Sequence, residues 1–148
     1  MMPPIRPAKP EDLARIAEIE IFNYRLNFYP IFRYDPFYFE ELQVPSRMEY
    51  YRPLLNTLWI YDDGVVKGFC QAEDRELKKL FVEPVLLGQA IGAALLEHAI
   101  GTLQVNNLWA LEKNTRAIAF YKRHGFRVTG QRKPEDGTEE SLIRLACP

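Results

Sequence analysis

The sequence contains few cysteines, no excess of charge of either sign and no long apolar run. Its two cysteines, Cys70 and Cys147, lie far apart among 148 residues, which are too few for a disulfide framework and match no metal or redox spacing. The formal net charge is only −1, so the chain has no overall field that attracts nucleic acid or anionic lipid. We therefore expect no metal site and no nucleic-acid or membrane partner.

The sequence also lacks segments that direct or anchor a protein. No run approaches the roughly 18 apolar residues that a membrane span requires, and the N-terminal MMPPIRPAKPEDL has no apolar core of a signal peptide. We therefore expect a cytoplasmic protein. Neither a P-loop GK[ST] motif nor GxGxxG follows any predicted strand, which disfavours a nucleotide-binding domain of another kind.

The composition is that of an ordinary globular protein, 47% hydrophobic and 26% charged, and it predicts one α/β domain over residues 1–148. The strand–helix–strand order over 77–112 predicts a parallel pair with a right-handed crossover, and ligands favour the carboxyl ends of such strands. The predicted elements are, in order, a strand at 5–8, a helix from Pro10, a hairpin over 57–74, a strand over 76–84, a helix over 88–103, a strand over 107–112, a helix closed by Gly125 and two final strands.

Most of the aromatic residues fall within 22–61, a region broken by Pro30, Pro36 and Pro45. One of its short helices is expected to begin with Ser46 as N-cap. Two compatible interpretations stay open for this segment. Its rings form a layer that covers the sheet, or they form the wall of a substrate pocket.

Two glycines, Gly88 and Gly92, lie where a predicted strand passes into a predicted helix. A helix N-terminus offers unpaired N–H groups and partial positive charge, so such a turn suits a phosphate without needing a basic side chain. Small residues at these positions also serve close packing of a helix on a strand. The pattern alone does not decide between the two roles.

The stretches FVEPVLLGQAIGAALLEHA and LWALEKNTRAIAFYKRHGF together resemble the GCN5-related N-acetyltransferase (GNAT) superfamily. Its cofactor loop runs Arg/Gln-x-x-Gly-x-Gly/Ala after a V-x-P strand end, which Val82-Glu83-Pro84 supplies here. The later motif is matched in order by Asn114, Ala117, Phe120, Tyr121, Gly125 and Phe126. The resemblance is specific over residues 76–126. It implies a twisted mixed α/β sheet of about six or seven strands flanked by about four helices.

The sequence departs from the family pattern at two positions of the cofactor loop. Leu87 stands where the family has Arg or Gln, and it removes a side chain that often helps to hold the pyrophosphate. Ala90 stands at a usual glycine, which costs little provided that its φ stays negative. We expect weaker cofactor binding rather than none, and a non-catalytic CoA-binding module of the same fold stays open as an alternative.

The resemblance implies acetyl transfer from acetyl-CoA to a primary amine without a covalent enzyme intermediate. In the family the pantetheine arm enters a gap between the strands that correspond here to LFV and LWALE. Asn114 is implied to bind pantetheine or to act as a plain N-cap, and both roles fit its position. The residues implied to hold the cofactor are Leu80, Phe81, Val82, Leu87, Gly88, Gln89, Ala90, Ile91, Gly92, Ala93, Asn114 and Tyr121.

Tyr121 is the predicted general acid toward the CoA sulfur. It follows Asn114 by seven residues, or two helical turns, so both lie on one helix face; the alternative is a core tyrosine.

Glu76 is the first candidate for the base that deprotonates the amine. A water relay without one dominant base also stays open, and the other candidate carboxylates are Glu20, Glu73 and Glu112.

The remaining expectations concern partners. The basic residues Arg116, Lys122 and Arg123, with Lys113, form either a solvated face or a contact for the adenosine 3′-phosphate. His98 and His124 are expected at the surface, away from the cleft. By family analogy the aromatic segment favours a small or partly apolar amine, or a peptide end, as acceptor, and a homodimer is possible.

Overall fold

The computed structural model describes residues 2–148, which form one seven-stranded sheet with helices on both faces. This confirms the expected mixed sheet and helix number, since one of the five α-helices is a single turn. The strands are β1 (Ile5–Pro7), β2 (Leu58–Asp62), β3 (Val66–Glu73), β4 (Glu76–Val82), β5 (Asn107–Leu111), β6 (Arg127–Pro134) and β7 (Ser141–Ala146). The α-helices are α1 (Leu13–Asn23), α2 (Tyr29–Phe32), α3 (Val44–Tyr51), α4 (Ile91–Gly101) and α5 (Thr115–Arg123).

The sheet has the strand order β1-β2-β3-β4-β5-β7-β6, and β4 and β5 are its parallel pair. These two strands are directly paired at only two positions, Glu76 with Asn107 and Leu77 with Leu108. Each strand nevertheless continues, because β4 stays paired with β3 as far as Val82 and β5 stays paired with β7 as far as Leu111. The strands therefore part in the middle of the sheet.

A bulge in β4 gives a local reason for this parting. Leu77 pairs with Ala72 and Lys79 pairs with Gln71, so that Lys78 is an extra residue in β4. A bulge bends its strand and increases the local twist. The bend follows directly after Leu77, the last residue of β4 that pairs with β5.

The two faces of the sheet bury separate cores. One face packs against α1 and α3 through a cluster of seven buried residues, which are Leu13, Ile16, Ile19, Tyr51, Leu58, Ile60 and Phe69. The other face packs against α4, whose buried residues Leu95, Leu96 and Ala99 meet Cys70 and Leu108, and partly buried α5 residues lie against this core. Period-two alternation along β3 sends Phe69 and Cys70 to opposite faces.

The segment between α1 and β2 is more helical than the sequence predicted. From Pro10 to Phe32 the chain is helical without interruption, through a 3₁₀ turn, α1, a π-helical turn (Tyr24–Phe28) and α2. A second π-helical turn spans Pro36–Glu41. These turns orient the aromatic side chains of this segment toward the parting strands, as described below.

The predicted N-cap of α3 is wrong. The helix begins at Val44 with Gln43 as its N-cap, and Pro45 occupies the first turn. The Ser46 hydroxyl instead donates to the carbonyl oxygens of Glu41 and Gln43. Pro45 suits the first helical turn because the N–H that it lacks would have no partner there.

Candidate active site

A cavity of about 1020 Å³ lies where β4 and β5 part. We call it the gap cavity. Residues 76–81 of β4 and 109–111 of β5 line it from the sheet. Six aromatic residues also line it, which we call the aromatic wall: Tyr24, Phe28, Phe32, Tyr34, Phe37 and Tyr38.

A second cavity, of about 510 Å³, lies between the loop after β4 and helix α5. We call it the loop cavity. It meets the gap cavity at five shared lining residues, which are Leu80, Phe81, Asn114, Ala117 and Tyr121. Of the twelve residues predicted to hold the cofactor, all except Gln89 line this cavity. The structure therefore brings together most of the predicted cofactor-binding residues, which lie in two separate stretches of the sequence.

The backbone of the loop adopts two left-handed conformations. Gly88 has φ +89°, where a glycine is at no disadvantage. Ala90, the N-cap of α4, has φ +63°, so the condition under which an alanine here would cost little, a negative φ, is not met. A non-glycine residue in this region carries steric strain of about 1–2 kcal/mol, and the alanine is therefore a cost to the fold.

Gly92 is not required by packing. At Gly68 on β3, an added Cβ would lie 2.9 Å from a backbone oxygen, so that position needs a glycine for close packing. At Gly92 the nearest atoms would be side-chain carbons of Phe120, Val82 and Leu80 at 3.7–3.8 Å, which are ordinary contacts. All three residues line the loop cavity. A Cβ at Gly92 would thus reduce open space in the cavity rather than displace the core.

The N-terminus of α4 offers hydrogen-bond donors to this space. The first amides of a helix have no intrahelical acceptor, and the N-cap Ala90 has no side chain that accepts from them. Ile91, Gly92 and Ala93 of this first turn line the loop cavity. Free amides at the positive end of an eleven-residue helix fit a diphosphate group.

Helix α5 contributes Asn114 and Tyr121 to both cavities. Asn114 is the N-cap of α5, and its Oδ1 accepts from the Ala117 N–H at 3.4 Å, so its capping role is present. Burial raises the pKa of the Tyr121 hydroxyl well above its ordinary value, with a smaller contribution from Cys70. Tyr121 therefore stays protonated at neutral pH, as a proton donor must be.

The candidate carboxylates are separated by the structure. Glu76 lines the gap cavity, 3.3 Å from the Lys78 ammonium. Glu112 is exposed and binds the Arg132 guanidinium, which holds the pKa of this carboxyl below its ordinary value. Glu73 and Glu112 line neither of the two cavities. Glu76 is thus the predicted carboxylate that reaches the gap.

Glu20 is a structural carboxylate instead of a base. It is fully buried, and its oxygens bind Arg47 Nε at 2.5 Å, Lys79 Nζ at 2.8 Å and the Tyr51 hydroxyl. Burial alone would raise the pKa of Glu20, but the charges of Lys79 and Arg47 outweigh it and the pKa is lowered. With both oxygens bound to donors, Glu20 joins α1, α3 and β4. Sequence reasoning missed these partners.

An acidic turn also lines the gap cavity. The turn between β6 and β7 lines the cavity with residues 135–138, including the carboxylates of Glu135 and Asp136. Main-chain hydrogen bonds from Glu135 N to Glu140 O and from Thr138 N to Glu135 O hold the turn. Trp109 on β5 completes the lining, with the Lys133 ammonium 4.4 Å from its ring centroid. Sequence reasoning missed the turn and Trp109.

The expected position of His124 is wrong, whereas His98 lines neither cavity, as expected, but is only partly exposed. His124 lines the loop cavity, and its Nδ1 lies 2.9 Å from the Phe120 carbonyl oxygen. His98 packs against the Trp59 ring at a centroid distance of 4.7 Å, and its Nε2 is buried without a partner among residues 2–148. Neither histidine is a simple surface residue.

Two general features of residues 2–148 bear on the class of site. Within this range no helix is both long and apolar enough to cross a bilayer. The same residues include no group of three or more His, Cys, Asp or Glu side chains arranged to hold a metal ion.

Comparison with known proteins identifies the family. A family model described as "Acetyltransferase (GNAT) domain" matches residues 55–128, half of the chain. The chain belongs to the GNAT acetyltransferase family. The matched residues of this GNAT chain include β4, α4, β5 and α5, whereas the aromatic wall and the turn at 135–138 lie outside the match.

Relatives of this GNAT chain include the peptidyl-lysine N-acetyltransferase YjaB of Salmonella typhimurium. It is 35% identical over 94 residues, which cover 62% of this chain and 65% of YjaB, less than two thirds of that protein. The solution structure of apo YjaB from Escherichia coli is similar with a TM-score of 0.70 at 24% identity, covering 99% and 97% of the two chains. The crystal structure of the PaiA N-acetyltransferase from Thermoplasma acidophilum in complex with coenzyme A gives 0.68 at 19% identity, covering 100% of both chains. At these identities, the two structures show a common fold.

Proposed function

We propose that this protein transfers an acetyl group from acetyl-CoA to a primary amine by direct attack. The observation that supports this function best is the parting of β4 and β5 after Leu77 and Leu108. It creates a gap cavity that shares five lining residues with the loop cavity, where the free amides of α4 lie. The proposed site therefore has a phosphate-binding end next to a reaction end.

The loop cavity is the proposed site of the CoA phosphates. Amides of residues 88–93 would donate to the diphosphate, and the backbone groups of Leu80 would pair with the pantetheine amides. The Val82 carbonyl oxygen already accepts from Asn23 Nδ2 at 2.9 Å. Acetyl-CoA, when bound, supplies an acyl group activated as a thioester. The amide of Val82 is the proposed donor to the thioester oxygen, where negative charge develops, because alternation along β4 turns the Phe81 amide toward β3.

Proton transfer is assigned to two side chains that line the gap cavity. Tyr121 is the proposed general acid, because it lies where the two cavities meet and a tyrosine hydroxyl is protonated at neutral pH. Glu76 is the proposed base, acting on the amine directly or through water. Its ion pair with Lys78 keeps a cation beside the carboxylate.

The proposed acceptor is a cationic amine with an apolar body, on a peptide or a small molecule. Of the charged residues that line the gap cavity, Glu76 is paired with Lys78 and Lys79 with Glu20. No ion pair engages Glu135 or Asp136 among the described residues. The cavity thus combines aromatic rings with unpaired negative charge, which attracts an ammonium group. YjaB, by its name a peptidyl-lysine acetyltransferase, is consistent with such an acceptor.

The alternative function is a CoA-binding module with little or no turnover. It is favoured by Leu87, which adds no charge to the cofactor loop. The homodimer and the cytoplasmic location stay predictions from the sequence.

The experiment that tests the function measures CoA binding and CoA thiol release separately. Calorimetry with CoA comes first, followed by acetyl-CoA turnover with a panel of lysine-containing peptides and small amines. We expect binding together with thiol release that depends on the acceptor. Binding without release for any acceptor would favour the module, and no binding of CoA would contradict both functions.

A further inference from the structure

The loop cavity has a positive lining. Two arginines and one histidine line it, Arg116, Arg123 and His124, and no aspartate or glutamate is among its described lining residues. The gap cavity differs, because three carboxylates line it together with two lysines. The charged lining residues are therefore positive in the loop cavity and of mixed sign in the gap cavity.

Neither arginine has a partner within the protein. Both side chains are exposed, and no ion pair or hydrogen bond among residues 2–148 engages Arg116 or Arg123. Lys113, predicted as part of the same basic face, is different because its ammonium lies 2.9 Å from Glu140. The two guanidinium groups are thus available to a ligand.

The spacing of the arginines places them on one side of α5. They are seven residues apart, which is two turns and about 10 Å along the helix. Lys122, next to Arg123, is exposed and lines neither cavity. The chain therefore contains a basic residue on the same helix that faces away from the cavity.

The loop itself supplies no positive side chain. Leu87 lines the loop cavity and is 45% exposed, and the free amides of α4 are the donors on that side. A CoA molecule has phosphate at two places, the diphosphate and the 3′-phosphate of its ribose. Guanidinium groups bind phosphate strongly, with two parallel hydrogen bonds.

We infer that Arg116 and Arg123, on the helix opposite the loop, supply the positive charge that holds the CoA phosphates in this protein. The inference rests on the proposed function for the identity of the ligand. It divides the predicted basic face, since Arg116 and Arg123 contact phosphate while Lys113 and Lys122 do not. The two arginines would also replace the positive charge that an Arg at the position of Leu87 would supply.

The test is calorimetric binding of CoA, 3′-dephospho-CoA and pantetheine to the full chain and to Arg116→Gln, Arg123→Gln and Lys122→Gln. We expect each arginine variant to lose roughly five-fold in CoA affinity and the lysine control less than two-fold, since exposed charge contacts are individually modest. If an arginine binds the 3′-phosphate, its Gln variant and the parent protein should bind 3′-dephospho-CoA with equal affinity. Pantetheine, which has no phosphate, should bind all variants alike.

A variant designed to restore CoA affinity provides a test that does not depend on a loss of affinity. Leu87→Arg in the Arg116→Gln/Arg123→Gln background should recover at least three-fold in CoA affinity, and the recovery should shrink as salt rises. Equal CoA affinities for the arginine variants and the Lys122→Gln control would overturn the inference. CoA binding that depends on the arginines without acetyl transfer would support the inference while contradicting the proposed activity.

Discussion

The carboxylate of Glu20 lies 2.8 Å from the ammonium of Lys79, a residue that lines the gap cavity. Glu20 is fully buried on α1, and Lys79 extends from the part of β4 that borders the gap. Because Arg47 of α3 binds the same carboxylate, three elements depend on one side chain. This ion pair fixes the position of β4 beside the gap cavity.

We predict that Glu20→Gln destabilises the protein by about 3 kcal/mol, because it leaves two mostly buried cations without their counterion. Urea denaturation measures the free energy of unfolding. The exposed Glu49, 3.0 Å from Arg52, provides a control, and Glu49→Gln should be indistinguishable from the parent. Equal stability of the two variants would contradict the structural role of Glu20.

The same ion pair predicts how the stability of the protein changes as the pH falls. Since the folded protein lowers the pKa of Glu20 below its ordinary value, its stabilisation is complete above the ordinary carboxyl pKa and is lost as the pH falls through the lowered folded value. The parent should therefore lose stability on acidification more steeply than Glu20→Gln. Urea midpoints between neutral pH and pH 3 measure the difference.

Tyr121→Phe should lower turnover by ten-fold or more while CoA affinity stays within two-fold. The ring remains to pack, and only the proton donor is lost. Steady-state rates and calorimetry give the two values. Tyr50→Phe, at a tyrosine that lines neither cavity, serves as the control, and an unchanged rate for Tyr121→Phe would remove this residue from the mechanism.

Gly92→Val should weaken CoA binding by ten-fold or more at little cost to folding. The first added carbon meets only ordinary contacts, so the lost affinity reflects space taken from the loop cavity. Gly101, at the other end of α4, has no atom within 4 Å of an added Cβ. Gly101→Val should leave CoA affinity unchanged, and the same result for Gly92→Val would count against a phosphate site at this turn.

Ala90→Gly should stabilise the fold by about 0.5–1 kcal/mol. The substitution relieves the left-handed φ of +63°, and part of the gain is offset by the greater freedom of glycine in the unfolded chain. Ala93→Gly, in the first turn of α4, should have the opposite sign. Thermal melting of both variants checks the prediction, and destabilisation by Ala90→Gly would show that the strain is absent.

Glu135→Gln should raise the KM of a cationic acceptor several-fold with little change in kcat, since the carboxylate attracts the amine without taking part in the chemistry. Glu139, exposed on the same hairpin and outside both cavities, is the matched control. A KM unaffected by Glu135→Gln, or equally affected by Glu139→Gln, would contradict a role for the acidic turn.

Local sequence patterns predicted the elements that surround the cofactor loop. Gly88 and Gly92 marked the turn, and Asn114 and Tyr121 marked a face of α5, because each feature depends on spacing within one or two helical turns. The observed bounds of α4 and β5 lie within the predicted ranges. The fold of this half therefore follows from the chain itself together with the resemblance.

The features that escaped prediction depend on tertiary contacts. Glu20 meets Arg47 and Lys79 across 27 and 59 residues, so no local pattern contains the pair. The φ of Ala90 is imposed by the path of the loop into α4, against the preference of alanine. The acidic turn reaches the aromatic wall only because β6 and β7 lie beside β5.

The brief contact of β4 with β5 divides the sheet into two blocks, β1–β4 and β5–β7–β6, that share only two directly opposed residue pairs. A linear molecule with amide groups that fills the fork would act as a missing strand and couple the blocks mechanically. The empty protein should thus be looser at this seam than elsewhere, and its occupied form should melt as a more cooperative unit. A ligand bound in this way would serve also as a structural member of the protein.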